Sequence, residues 1–96
     1  MKRQNFGSNF DDFLKEEGLL ADIEAAALKK LISMRLEREM KKRDITKSRM
    51  AATMRTSRSE VDRLLNPKHP ALTLHTLCSA AVVLGKRVKV QLVQAR

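Results

Sequence analysis

Residues 46 to 65 constrain the fold more than any other stretch, because two short helical patterns follow one another there with a sharp break between them. The first pattern places Met50, Ala51 and Met54 on one face, at the i, i+1, i+4 spacing of a buried helical stripe. The second repeats apolar residues at i, i+3 and i+4, and its members are Val61, Leu64 and Leu65. The stretch therefore predicts two short helices that pack against each other.

Capping residues indicate where these two helices begin. Thr46 is a common N-cap residue type and precedes the first pattern. Ser57 is followed three residues later by Glu60, the spacing of a capping box, so we expect the second helix to begin at Ser57. A small residue, Ala51, lies where the helices would cross. Two helices of about two turns joined by a three-residue turn predict a helix-turn-helix; the alternative is a generic two-helix hairpin in a small core.

The second helix carries basic and hydroxyl side chains opposite its apolar stripe. Arg58 and Ser59 occupy its first turn, which in a helix-turn-helix enters the major groove of DNA. Arginine suits a bidentate contact with guanine, while serine is less selective. We therefore predict that three residues read base edges: Arg58, Ser59 and Arg63.

The residues Met50-Ala51, Met54 and Arg55-Thr56-Ser57 resemble the helix-turn-helix of the Cro/phage-repressor-type (XRE) family. That family usually has the turn glycine where this chain has Arg55, so the turn is expected to differ slightly. Carrying over the family's docking implies a set of phosphate-binding residues, namely Lys47, Arg49, Arg55 and Ser57.

Charge is distributed unevenly along the chain of 96 residues. Residues 1 to 27 hold three basic and six acidic residues, a net charge of −3, whereas residues 28 to 96 hold 17 and five, a net charge of +12. A basic body favours a polyanionic partner. All three aromatic residues are Phe near the start of the chain. Because single-strand binders stack bases on aromatic side chains, the body is expected to bind duplex DNA.

The acidic start of the chain is predicted to form a separate arm. Ser8 followed by Asp11 resembles a second capping box, which predicts a short helix that ends at Gly18. Its apolar face consists of Phe10, Phe13 and Leu14. The arm either docks on a partner or packs on the protein's own body, and both interpretations remain open here.

A longer helical pattern runs from Asp22 to Arg43 without Gly or Pro, and would span roughly 33 Å. This is longer than a helix-turn-helix requires, so its first half is expected to project and to offer apolar surface to a partner. Two stripes run along it. The first comprises Ile23, Ala27, Leu31 and Met34, and the second Leu28, Ile32, Leu36 and Met40.

The last helical pattern extends from Leu74 to Leu84, capped by Thr73 and closed by Gly85. Its expected core face comprises Leu74, Leu77, Cys78, Ala81, Val82 and Leu84. This ending also resembles the repressor-type family, so that resemblance covers residues 28 to 85.

Residues 87 to 93 alternate polar and apolar with period two, which predicts a strand whose apolar members are Val88, Val90 and Leu92. A lone strand leaves its backbone donors and acceptors unpaired, so its partner must come from another chain. We expect the same strand of a second copy, antiparallel about a two-fold axis, with augmentation of a partner's sheet as the alternative. A homodimer would also match a palindromic operator.

The residue pattern offers little for other kinds of chemistry. His69, His75 and Cys78 lack the further ligands of a zinc site, so no metal is predicted. Neither a glycine-rich phosphate loop nor a catalytic triad is recognisable, so we expect no cofactor and no enzyme activity. The single cysteine is expected in the core of a protein in a reducing cytoplasm. No apolar run or signal peptide suggests a membrane protein.

Taken as a whole, the chain resembles the HigA-like antitoxins of bacterial toxin–antitoxin pairs. The segments that carry this resemblance are residues 10 to 18, 64 to 67 and 84 to 88. It implies an operator in the protein's own promoter and a small basic ribonuclease toxin of the RelE/HigB type, bound through Phe10, Phe13 and Leu14. The alternatives are a stand-alone regulator without a toxin, a basic RNA-binding or ribosome-associated protein, and a membrane-surface helix.

The sequence thus predicts a mainly α fold of four to five helices, with a repressor-type helix-turn-helix and one C-terminal strand that pairs across a dimer. Residues 1 to 21 form the acidic arm, 22 to 85 the DNA-binding domain and 86 to 96 the dimerisation strand. The predicted function is a DNA-binding transcriptional repressor that is also the antitoxin of a type II pair.

Overall fold

The computed structural model of the chain describes residues 6 to 95, with side chains for Asp12 and for residues 15 to 95. Four helices follow one another within that range: α1 (Phe6–Lys42), α2 (Lys47–Met54), α3 (Arg58–Leu65) and α4 (Leu74–Val83). The mainly helical fold is therefore confirmed. The contacts predicted for Phe10, Phe13 and Leu14 concern side chains outside this description.

α1 is one helix of 37 residues, so the predicted division into a short arm helix and a longer helix is wrong. The helix begins at Phe6, ahead of the predicted cap Ser8, and passes through Gly18 without a break. A glycine in a helix interior costs only about 1 kcal/mol relative to alanine, and good helix formers flank this one on both sides. A single glycine is therefore too weak a signal to end α1.

The hydrophobic core lies where the second half of α1 meets the three short helices. Met50 of α2, Val61 of α3 and Leu84 after α4 are its largest fully buried members, with 0%, 0% and 1% of their surface exposed. The other buried core residues are Leu36, Met40, Ala51, Leu64, Leu65 and Ala80. The predicted stripes of α2 and α3 are thus confirmed, with Met54 partly buried beside them.

Side-chain caps begin the three short helices at the predicted residues. Thr46, Ser57 and Thr73 have extended backbones, and each side-chain oxygen accepts a hydrogen bond from the backbone N–H three residues later. These donors belong to Arg49, Glu60 and Thr76. Each cap satisfies one of the free N–H groups in the first turn of its helix.

Left-handed residues follow three of the helices and turn the chain sharply. Asp44, Arg55 and Gly85 have φ values of 55°, 60° and 69°. In each case the next N–H bonds to the carbonyl five residues earlier, which is the Schellman motif. The bonds run from Ile45 to Met40 (2.9 Å), from Thr56 to Ala51 (2.9 Å) and from Lys86 to Ala81 (2.8 Å). Arg55 therefore adopts the left-handed conformation that turns the chain after α2, although it is not glycine.

The first half of α1 projects beyond the core, as expected. Exposed apolar side chains continue from this half into the next one and are 48% to 64% exposed: Leu19, Leu20, Ile23, Leu28, Leu31 and Met34. The longest dimension of the molecule, 59 Å, is close to the length of about 55 Å expected for α1. The second predicted stripe is buried only in its later part, since Leu28 is 53% exposed. The buried line of α1 runs instead through Lys29, Ser33, Leu36 and Met40.

α4 buries only part of its apolar surface. Leu77 packs against the core and Ala81 is buried, but Leu74 and Val82 are 69% and 73% exposed. Cys78 is exposed as well, so its predicted core position is wrong. The three exposed residues recur every four positions and form one outward stripe. Because α4 carries apolar residues on nearly all sides, a single core cannot cover it.

The predicted C-terminal strand is not formed within the described chain, where residues 86 to 95 have no regular secondary structure. Val88 is half-buried, while Val90, Leu92 and Val93 are 70%, 96% and 79% exposed. The segment thus leaves the core after Gly85 with its apolar side chains uncovered.

Gly18, inside α1, and Gly85, after α4, are expected to respond oppositely to alanine. Gly18→Ala should strengthen α1 by about 1 kcal/mol, because nothing lies within 4 Å of the added methyl group. Gly85→Ala should destabilise the fold by about 1 to 2 kcal/mol, because φ is +69° and the methyl group would lie 3.3 Å from a guanidinium nitrogen of Arg43. Circular dichroism during thermal unfolding measures both effects, and equal behaviour of the two variants would contradict this account.

Candidate functional site

The residues predicted to contact DNA form one surface, made by α2, the turn and α3. We refer to this surface as the α2–α3 face. Arg58, Ser59 and Arg63 are exposed on α3, Arg49, Arg55 and Ser57 are exposed on α2 and the turn, and Lys47 is half-buried. Residues 46 to 65 hold five basic and two acidic side chains, a net charge of +3. The face is therefore basic, polar and open to a large ligand.

The first turns of α2 and α3 lie beside each other. The Arg58 guanidinium lies 3.4 Å from the Ser48 hydroxyl, to which it donates a hydrogen bond. The Lys47 ammonium lies 3.1 Å from a carboxylate oxygen of Asp62. Side chains from the first turn of α2 thus meet side chains of α3, so basic residues of both helices lie close together on the α2–α3 face. An anion bound there would meet positive charge from both helices.

Two acidic residues reduce the positive charge of the α2–α3 face. Asp62 pairs with Lys47, and Glu60 pairs with Arg63 at 3.1 Å. All four side chains are 43% to 51% exposed. Ion pairs exposed to this degree contribute little to stability, so the two cations can exchange their partners for a ligand at small cost.

The turn between the helices places two further polar side chains on this face. The left-handed backbone of Arg55 is held by N–H bonds from Arg55 and Thr56 to the carbonyls of α2. The Ser57 hydroxyl oxygen accepts the Glu60 N–H at 3.0 Å. That hydroxyl retains its own proton and can donate it to an acceptor outside the protein.

The opposite, carboxyl end of α3 is held by two buried polar side chains of α1 that the sequence analysis missed. The Lys29 ammonium donates to the backbone carbonyls of Arg63 (3.0 Å) and Asn66 (2.9 Å). The Ser33 hydroxyl donates to the carbonyl of Leu64 at 2.7 Å. Lys29 is 2% exposed and Ser33 is 0% exposed. Ser33 thus supplies a donor to the Leu64 carbonyl at the helix end, and Lys29 adds a charged donor to two carbonyls that also accept backbone N–H groups.

Burial lowers the pKa of Lys29 below its ordinary value of 10.5, because the charged form loses hydration. The carbonyl end of α3 carries partial negative charge, which favours a cation there. Because the folded state releases this proton at lower pH than the unfolded state, Lys29 makes stability rise with pH between its lowered pKa and 10.5.

A sequence signal for these two residues does exist. One helical face of α1 has the positions i, i+4, i+7 and i+11, which are occupied by Lys29, Ser33, Leu36 and Met40. Leu28 and Ile32, each one residue earlier, form an apolar stripe with the same Leu36 and Met40, and this stripe conceals the line. A polar residue in register with a buried stripe needs a specific partner, and that partner could be identified only from the position of α3.

Other kinds of site find no support in the part of the chain that the structure describes. No three His, Cys, Asp or Glu side chains there lie close enough to hold a metal ion. Between residues 6 and 95, no helix has the length and apolar character needed to cross a membrane. An open groove of about 430 Å³ separates the end of α2 from α4; it is lined by Thr53, Met54, Arg55, Ser79, Val82 and Val83.

Comparison of the chain with family models, with curated proteins and with solved structures found no match.

Proposed function

We propose that the protein is a sequence-specific DNA-binding repressor that acts as a dimer, and that it is also the antitoxin of a toxin–antitoxin pair. The observation that carries the DNA-binding part is the α2–α3 face. Two eight-residue helices joined by a three-residue turn present their first turns together, with a net charge of +3 over residues 46 to 65. α3 is the recognition helix in this proposal.

The proposed docking places the amino end of α3 in the major groove. Arg58 and Ser59, in the first exposed turn, read base edges there, and Arg63 reads further along the groove. Phosphates on either side of the groove are bound by α2 and the turn, through Lys47, Arg49, Arg55 and Ser57. The phosphate contacts supply affinity and orientation, whereas the α3 contacts supply sequence preference.

Two uncovered apolar surfaces support the proposed dimer. The outward stripe of α4 has no charged neighbour between residues 71 and 84, and residues 88 to 93 continue with exposed Val and Leu side chains. In a chain with a net charge of +9, an uncharged apolar surface is where two copies can meet without repulsion. Val88, Val90 and Leu92 of one copy pair antiparallel with the same segment of the second.

The projecting half of α1 supports the antitoxin part. Residues 12 to 28 hold five acidic residues and one basic residue, a net charge of −4, together with four exposed large aliphatic side chains. Two such helices would repel each other, so a basic protein is the better partner. A small basic ribonuclease has a positively charged RNA-binding surface that this helix can cover.

A stand-alone regulator without a toxin is the second candidate, because the α2–α3 face does not depend on the projecting helix. The two candidates differ in genomic context. A neighbouring reading frame for a basic protein of about 100 residues, the size of a small domain, favours the antitoxin. Its absence favours the stand-alone regulator.

Substitutions on α3 and α2 should affect DNA binding differently. Arg58→Ala should weaken binding to the preferred duplex by about 1 to 3 kcal/mol and relax base choice at one position. Lys47→Ala should weaken binding to all duplexes alike and reduce the slope of log K against log salt by about one unit. Selection from a randomised duplex pool, followed by titrations at several salt concentrations, measures both.

Lys30→Ala is a suitable control, because Lys30 is exposed on α1 outside the α2–α3 face. An unchanged affinity of Arg58→Ala for the selected duplex would refute the placement of α3 in the groove.

If two copies pair through the C-terminal segment, substitutions of two neighbouring residues there should affect dimerisation differently. Leu92→Lys should convert the dimer to a monomer in sedimentation experiments and weaken binding to a palindromic duplex, because a buried apolar contact is replaced by charge. Gln91→Lys adds the same charge on the opposite face of the strand and should leave the dimer intact. Both side chains are exposed in the single chain, so neither change should disturb the fold. Equal masses for the two variants would exclude this strand pairing.

A substitution on the apolar face of the projecting half of α1 should weaken binding of the toxin without weakening DNA binding. When the chain is co-expressed with the neighbouring basic protein, Ile23→Asp should weaken the complex at least about tenfold, since burying an unpaired charge opposes apolar docking. Ala25→Asp, on the opposite side of α1, should retain it. A complex that survives Ile23→Asp would place the toxin on another surface.

A further inference from the structure

The orientation of α3 cannot come from α3 itself. A helix of eight residues is too short to be stable alone in water, so its position depends on what holds it. At its amino end, the turn and the Ser57 cap connect it to α2. Its apolar face packs in the core through Val61, Leu64 and Leu65. At the carboxyl end of α3, all the polar contacts described with another helix come from α1.

The contacts at the carboxyl end form a specific clamp. Three carbonyl acceptors, those of Arg63, Leu64 and Asn66, receive donors from Lys29 and Ser33 at 2.7 to 3.0 Å. The two donor residues are one turn apart on α1, so the clamp fixes both the distance and the rotation of α3 relative to α1. Both are almost fully buried, which keeps water from replacing either donor.

We propose that Lys29 and Ser33 are positioning residues for sequence recognition, which act by holding the recognition helix at the angle that its base contacts require. This inference rests on the proposed DNA-binding function. It extends that function to two buried residues on the far side of α3 from the DNA.

Sequence preference and non-specific DNA affinity depend on different elements of the structure in this proposal. The proposed phosphate contacts come from α2 and the turn, which the clamp does not touch. The base contacts come from α3, which the clamp orients. Base hydrogen bonds weaken steeply when their geometry changes, whereas long-range attraction to phosphates hardly depends on it. Loss of the clamp therefore lowers sequence preference while leaving non-specific affinity in place.

Within α3, the two ends should respond unequally. The amino end stays fixed by its cap and by the turn, so a loosened α3 swings about Ser57. Arg63 contributes one of the clamped carbonyls and lies farthest from that pivot. The base preference assigned to Arg63 is lost before the preference assigned to Arg58.

The experiment compares full-length variants on two duplexes of equal length, one selected by the wild-type protein from a randomised pool and one scrambled. Ser33→Ala changes no charge and is the principal variant; Lys29→Met is the second. Each should lower the ratio of the two affinities about tenfold, the effect of losing one base contact, and leave the affinity for the scrambled duplex within about twofold. Repeating the selection with Ser33→Ala should show relaxed preference at the positions farthest from those that Arg58 reads.

Lys30→Met, which removes an exposed charge beside Lys29, is the control and should keep the wild-type ratio. A purely structural role would lower both affinities in proportion to the unfolded fraction, which circular dichroism measures, and would leave the ratio unchanged. If Lys29→Met does not fold, Ser33→Ala decides. A wild-type ratio for Ser33→Ala would overturn the positioning role while the proposed function stands. If the wild-type protein selects no duplex at all, the proposed function itself fails, and the inference with it.

Discussion

The position of α3 depends on being held at both ends, because eight residues cannot maintain a helix in water. Ser57 caps its amino end, the core covers its apolar face, and the buried donors of Lys29 and Ser33 occupy its carboxyl end. Apolar packing alone would allow a short helix to rotate or slide among similar arrangements. Directional hydrogen bonds do not allow this, so the clamp gives one defined orientation to the helix that carries Arg58, Ser59 and Arg63 on its exposed side.

The clamp uses polar side chains where a core would ordinarily use aliphatic ones, and the helix end explains why. Among the hydrogen bonds described at this helix end, the Leu64 carbonyl accepts only the Ser33 hydroxyl, so an aliphatic residue at position 33 would leave a buried acceptor unpaired, which costs about 1 to 3 kcal/mol. The carbonyls of Arg63 and Asn66 also accept backbone N–H groups, and Lys29 adds a charged donor to both. The lysine also loses hydration, which lowers its pKa, but its positive charge suits the negative end of the helix dipole.

The molecule has three exposed surfaces that differ in charge and in apolar character. The α2–α3 face is basic, whereas the projecting half of α1 is acidic and carries exposed aliphatic side chains. α4 contributes a third surface, which is apolar and uncharged, and the C-terminal segment adds exposed Val and Leu side chains next to Lys86, Arg87 and Lys89. A single chain leaves all three uncovered. One small core therefore supports three exposed surfaces of different chemistry, and the proposed function assigns a polyanion, a basic protein and a second copy to them.

The sequence by itself determined the short helices, since Thr46, Ser57 and Thr73 cap them as predicted and the apolar spacing of α2 and α3 marks their buried faces. It also located the exposed basic residues of the candidate site, because those lie opposite the stripes. It misjudged Gly18, whose helix penalty is small beside the propensity of its neighbours, and Cys78, because α4 is apolar on more faces than the core covers. Only the tertiary structure decided which stripe of α1 is buried. That choice depends on where the carbonyls of α3 lie, and a contact between residues more than 30 positions apart leaves no local pattern in the chain.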